Sequence, residues 1–141
     1  MKTSDKPLYL EHANITVRNI ENSIRFFQTA FPDFEVRGGN LESEDRWLHL
    51  GTADTYVALN EKMRTPKGKA YHGTGINHIG FVVSDVQDLA DRLEHAGYQR
   101  SYPTQIEKFR IRDYFLDDDG NEYEFVQYLS EETAERNAYE V

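Results

Sequence analysis

Two histidines and a glutamate carry the most chemistry in this chain. His12 sits in the run Leu10-Glu11-His12-Ala13-Asn14-Ile15-Thr16-Val17, and His78 in Ile76-Asn77-His78-Ile79-Gly80-Phe81-Val82-Val83. Each lies near the start of a short alternating stretch, and each stretch runs through a turn into a helical pattern. Glu124 belongs to a third such stretch, where Glu122, Glu124 and Val126 alternate with Tyr123, Phe125 and Gln127. Tyr123 and Phe125 suit an apolar face, which turns Glu124 toward the face that bears the histidines. Two imidazoles and a carboxylate on one polar wall are a donor set for divalent Zn, Ni, Mn or Fe, with positions left for water and substrate. The chain has no cysteine, so thiolate ligands, cysteine nucleophiles and disulfides are excluded.

His12 and His78 are 66 residues apart, and the same offset pairs Val17 with Val83, Ile20 with Val86, Phe27 with Leu93, Arg46 with Arg112, Leu50 with Leu116 and Leu59 with Phe125. It also pairs the turn 51–54 with 117–120. Such self-similarity marks an internal duplication. In the first copy a strand over 10–17 precedes a helix with Ile20, Ile24, Phe27 and Phe31 on one stripe, which Asn19 or Asn22 caps and Pro32 stops. Strands follow over 34–36, ending at Gly38-Gly39, then over 46–50 and 55–59. In the second copy, Asp85 caps a helix with Val86, Leu89, Leu93 and Ala96 on its stripe, and Gly97 stops it. Strands over 98–102, 109–116 and 122–128 complete it, the last two joined by Asp117-Asp118-Asp119-Gly120-Asn121. That segment lacks the spaced ligands of a calcium loop and reads as a turn. The unit is therefore βαβββ, used twice. The fold class is α+β: two tandem modules forming a cupped, partly open mixed β-barrel around a central cleft. The divisions are an arm over 1–7, module one over 8–61, a connector over 62–75, module two over 76–129 and a polar tail over 130–141. The connector holds Lys62, Arg64, Lys67 and Lys69, and reads either as a solvated linker or as a lid that meets an anionic substrate.

Length and composition fit one domain: 141 residues, 38% hydrophobic and 29% charged. The net charge of -9 disfavours a nucleic-acid partner, because phosphate backbones reward positive surfaces. No apolar run approaches the roughly 20 residues that span a bilayer, and 1–7 has no apolar signal core. The expectation is a cytoplasmic protein with a small-molecule partner, no nucleic acid and no membrane.

The residues Leu10-Glu11-His12, Ile76-Asn77-His78-Ile79-Gly80-Phe81 with Asp85, and Phe115-Leu116-Asp117-Asp118-Asp119-Gly120-Asn121 leading to Glu124-Phe125 resemble the vicinal oxygen chelate superfamily. It includes glyoxalase I, bleomycin-resistance proteins, fosfomycin-resistance transferases and extradiol dioxygenases. The resemblance spans roughly 8–128. It implies metal ligands on the first and last strands of each module: His12, His78 and Glu124, with Glu124 also in a catalytic role. The fourth place falls on Ala58, which cannot ligate, so glyoxalase I chemistry with carboxylates on both sides of the metal is not expected. Tyr56 or Asn60 is placed to compensate in part. Tyr56, Asn60, Tyr114 and Arg112 are the expected substrate contacts. His49, His72 and His95 are expected to be structural or exposed. The resemblance implies a homodimer and one divalent metal ion, serving a lyase, isomerase, thiol-transfer or dioxygenase step. The alternative is a bleomycin-resistance-type protein that binds a small ligand without catalysis.

Overall fold

The structure, a computed structural model, describes residues 9–62 and 70–139. The expected arm over 1–7, and Arg64, Lys67 and Lys69 of the connector, lie outside the described residues. Strand β1 (His12–Val17) forms as its alternation requires, with Ala13, Ile15 and Val17 turned inward and His12, Asn14 and Thr16 exposed. Helix α1 (Ile20–Ala30) starts at Asn19, whose side chain accepts from the Asn22 N–H at 2.8 Å. Then come β2 (Glu35–Asn40), β3 (Trp47–Gly51) and β4 (Tyr56–Glu61). The second module repeats the order: β5 (His78–Val82), α2 (Val86–His95) capped by Asp85, β6 (Arg100–Ile106), β7 (Arg110–Leu116) and β8 (Glu122–Tyr128). A short helix, α3 (Thr133–Arg136), follows. Gly97, at φ 96°, supplies the left-handed exit from α2 that a side chain would resist.

The sheets run β1-β4-β3-β2 and β5-β8-β7-β6. In each the first pair is parallel and the others antiparallel, so both are mixed. They are not closed into a barrel, the cupped open form of the expected α+β fold. In each module the last strand also caps the helix. Glu61 Oε2 accepts from the Ile20 N–H at 3.0 Å, and Gln127 Oε1 from the Val86 N–H at 3.0 Å. Residues 61 and 127 stand at the 66-residue offset.

That offset does not hold everywhere. It relates β1 to β5 and β4 to β8, since His12 faces Tyr56 as His78 faces Glu122. On the intervening strand, however, His49 faces Ala58 where Tyr114 faces Glu124, a spacing of 65 (114 minus 49). The counterpart of Leu50 is thus Phe115 and not Leu116, and both are fully buried. The counterpart of Arg112 is Trp47 and not Arg46. The phase returns in the turns: 52–55 joins β3 to β4, whereas 117–121, one residue longer, joins β7 to β8. The longer turn is held by Asp117, whose Oδ1 accepts from the N–H groups of Asp119 (2.9 Å) and Asn121 (2.8 Å).

Most strand ends lie within two residues of those expected, and two strands differ more. β2 continues through Gly38-Gly39 with a bulge, and a Cβ on Gly39 would lie 2.6 Å from the Trp47 carbonyl oxygen. β6 starts at Arg100 because Tyr98 is drawn into the core, where it meets Phe26 edge-on at 5.0 Å. The polar tail is docked: Arg110 Nη1 donates to the Arg136 carbonyl at 2.9 Å and Nη2 to that of Ala138 at 2.6 Å.

One core serves both modules. Phe26 and Phe27 of α1 reach Tyr123 of β8 at ring distances of 5.3 and 5.1 Å, and Phe31 reaches Phe81 and Phe125 at 5.0 and 5.6 Å. Val17, Leu48, Leu50, Val57 and Leu59 of the first sheet share this core with Phe115, Tyr123 and Phe125 of the second. By strand alternation, the faces bearing His12 and His78 turn away from it.

Candidate functional site

On the second sheet, β5 presents His78 and its parallel neighbour β8 presents Glu122 and Glu124. His78 Nε2 lies 3.2 Å from Glu124 Oε2, and Nδ1 lies 3.5 Å from Glu122 Oε1. Tyr71, from the described end of the connector, places its hydroxyl 2.8 Å from His78 Nδ1 and in a very short hydrogen bond to Glu122 Oε1. Burial pushes the Tyr71 phenol well above its usual range, and Glu122 pushes it further, so Tyr71 keeps its proton. β7 adds Tyr114, edge-on to His78 at 5.7 Å, and Arg112, whose Nη1 is 3.5 Å from the Tyr114 hydroxyl and 3.8 Å from Glu124 Oε1. Burial raises the Tyr114 phenol as well, with Glu124 second. Glu107 grips Arg112 in a close ion pair, yet among the described residues the buried Arg112 Nε has no hydrogen-bond partner. Gly80 leaves room beside Glu124: a Cβ there would meet Oε2 at 3.5 Å.

On the first sheet the equivalent face is aromatic. His12 stacks on Tyr56 at 4.6 Å and Tyr56 on His49 at 4.9 Å, Trp47 meets His49 edge-on at 5.0 Å, and the Arg37 guanidinium sits 3.9 Å over Tyr56. His12 Nδ1 is 2.8 Å from Glu11 Oε1, and Asn60 donates to Asn14 at 2.6 Å. Burial lowers the His49 pKa, with His12 and Arg37 adding to the effect, which keeps that ring neutral. Ala58 is buried and supplies no donor.

Residues 9–125 match the family model described as the Glyoxalase/Bleomycin resistance protein/Dioxygenase superfamily. The chain belongs to this superfamily. Solved structures agree on the fold. A fosfomycin resistance protein, FosX, from Mesorhizobium loti is 23% identical, with a TM-score of 0.67 over 95% of this chain and 100% of that one. FosX from Listeria monocytogenes is 19% identical, with a TM-score of 0.70 over 93% and 97%. A glyoxalase family protein from Enterococcus faecalis is 22% identical, with a TM-score of 0.69 over 84% and 96%.

Set within the superfamily fold, the sequence-predicted residues separate into two groups. His78, Glu124, Tyr114 and Arg112 converge on the second sheet. His12, Tyr56 and Asn60 stand on the first. Among the described residues, no three His, Cys, Asp or Glu side chains gather closely enough to hold a metal ion. The donor pair itself fits one: ligands about 2.1 Å from a shared ion in tetrahedral or octahedral array lie about 3.0–3.4 Å apart, and Nε2 and Oε2 are 3.2 Å apart. Sequence reasoning did not single out Tyr71 or Glu122, and His49, expected to be structural or exposed, stands in the stacked wall. The register pairing Glu122 with His78 held a signal for Glu122. His49 gains its place only from the stacking geometry, and Tyr71 lies in a glycine- and lysine-rich connector that has no periodicity to read.

Proposed function

We propose that this protein is a divalent-metal-dependent enzyme acting on a small molecule with adjacent oxygen atoms. Its metal would be held by His78 and Glu124 of one copy and by His12 of a second copy in a homodimer. The observation that carries this reading is the 3.2 Å approach of His78 Nε2 to Glu124 Oε2 on an outward face where, among the described residues, no third ligand gathers with them. A divalent ion there would supply Lewis acidity toward adjacent oxygens, which lyase, isomerase, thiol-transfer and dioxygenase steps all use. The chain's own groups bind and orient the substrate. Tyr114, which retains its proton, donates a hydrogen bond, and Arg112 offers a buried Nε–H that has no partner among the described residues. Glu124 would help hold the ion, and its carboxylate is also the base placed beside the substrate.

The test is metal content and oligomeric state of protein purified without a histidine tag. His12→Ala and His78→Ala should each lose the metal. Mixed and allowed to exchange subunits, the two variants should regain part of it, because half of a shared site survives on each chain. Stoichiometric metal in His78→Ala defeats the reading, and no recovery on mixing defeats the shared site. A second reading, a bleomycin-resistance-type binder without catalysis, draws support from the stacked wall of His12, Tyr56 and His49. Absence of metal from the wild-type protein, together with binding of flat aromatic ligands that Tyr56→Ala abolishes, would favour it.

A further inference from the structure

The Tyr71 hydroxyl has two partners and one proton. Glu122 Oε1 lies within a very short hydrogen bond, and His78 Nδ1 is 2.8 Å away. The hydroxyl donates to the Glu122 oxygen, so the phenol proton is committed there. Tyr71 can then meet Nδ1 only as an acceptor, which requires a proton on Nδ1. A neutral imidazole carries one N–H, so Nε2 is left with its lone pair, facing Glu124 Oε2 at 3.2 Å. Two lone-pair atoms that close repel unless a proton or a metal cation lies between them, and above the titration range of a free imidazole the proton is the scarcer of the two.

We infer that Tyr71 and Glu122 form a relay that fixes His78 in the Nδ1–H tautomer and keeps Nε2 free as a donor toward a cation. Tyr71 and Glu122 are positioning residues, and their service to a metal rests on the function proposed above. The placement of Tyr71 is built: its N–H donates to Asn77 Oδ1 at 2.7 Å, and it holds φ at 70°. An aromatic residue resists that left-handed backbone, and such strain collects at functional sites. Glu122 is buried and registers directly opposite His78. The first module lacks this device. The position equivalent to Glu122 is Tyr56, which stacks on the His12 ring, and His12 Nδ1 meets the exposed Glu11. The two histidines of the duplicated frame are thus prepared differently: His12 Nδ1 meets an exposed neighbouring carboxylate directly, whereas His78 Nδ1 meets a phenol that is itself held by a buried carboxylate.

The experiment is long-range proton–nitrogen correlation of the His78 ring in metal-free, nitrogen-15-labelled protein at about pH 8, well above the titration of a free imidazole. The wild type should show the Nδ1–H pattern, and Tyr71→Phe combined with Glu122→Leu should move His78 toward Nε2–H. A wild-type ring in the Nε2–H form, or an unchanged ring in the double variant, overturns the relay. If Glu122→Leu prevents folding, the wild-type spectrum and Tyr71→Phe alone decide, since Tyr71 is half exposed. Titration with Zn and Mn ions forms a second arm. Tyr71→Phe should weaken binding about tenfold, the usual cost of removing a group that orients a ligating histidine. Equal affinity in the variant overturns the link to the metal. A wild type that binds neither ion defeats the proposed function, while the tautomer is still decided by the spectrum.

Discussion

Arg110 is 1% exposed, and almost everything polar around it comes from elsewhere in the chain. Glu107 takes its charge, the carbonyls of Arg136 and Ala138 take its Nη groups, and Tyr139 covers it at 3.8 Å. Because Glu107 also holds Arg112, the docked tail and the candidate site share one carboxylate. Arg110→Met should cost about 3 kcal/mol, the scale of breaking a buried ion pair, and should release the tail, read as lost amide protection over 133–138. Acid should act on the same knot. Burial pushes Glu107 up, but Arg110 and Arg112 together outweigh it and hold the carboxyl below its ordinary value of 4.5. Its stabilisation is therefore present above that value and is lost as pH falls through the lowered one. At this scale the sequence was informative where a residue lay on a periodic strand. Alternation and duplication led to His78 and Glu124, which meet. Tyr71 and Arg110 act through distant partners, Glu122 and the carbonyls of Arg136 and Ala138, and no periodicity records those.

Each helix begins against the last strand of its own module, and this explains why the units could be recognised at all. The apolar stripes and the Asn19 and Asp85 caps are local signals, so α1 and α2 were legible, as was β8 to the residue. β6 was displaced because the burial of Tyr98, a tertiary event, decides where it starts. The caps differ in charge. Glu61 brings a carboxylate to the N-terminus of α1 and is paired with Arg46 at 2.7 Å, whereas Gln127 brings a neutral amide to α2. The Ile20 N–H, aided by Arg46, holds the Glu61 carboxyl below 4.5 against burial. Glu61→Gln would copy the second module's cap into the first. It should cost about 1 kcal/mol at neutral pH. The penalty should shrink as pH falls through the lowered Glu61 value, since the wild-type carboxyl is then protonated too. Urea melts at neutral and acid pH check both halves, and a penalty that stays constant with pH would refute the electrostatic account.

For the molecule as a whole, the duplication predicted two modules, and the structure unites them in one core. The helix of the first module packs on the sheet of the second as well as on its own, so the two halves share one interior. Phe125→Ala on β8 should destabilise the protein by about 3–5 kcal/mol. It should also shift the unfolding of the other module, reported by the fluorescence of Trp47 on β3, by the same amount as the far-ultraviolet dichroism. A Trp47 transition that stays in place would mean separable modules. The slipped register was not legible, because an offset of 65 within a frame of 66 needs strand pairing to expose it. That slip ends in the longer turn 117–121, which reaches the first module: Arg18 Nε donates to Asp119 Oδ1 at 2.6 Å and Nη2 to the Asp118 carbonyl at 3.0 Å. The two copies have therefore ceased to be interchangeable. A chain rebuilt from two identical first modules would carry the shorter turn in both places and lose the loop that clasps its sibling. It would then have less to distinguish the neighbouring module of its own chain from the same module of another, and exchange between chains is the failure to look for in such a construction.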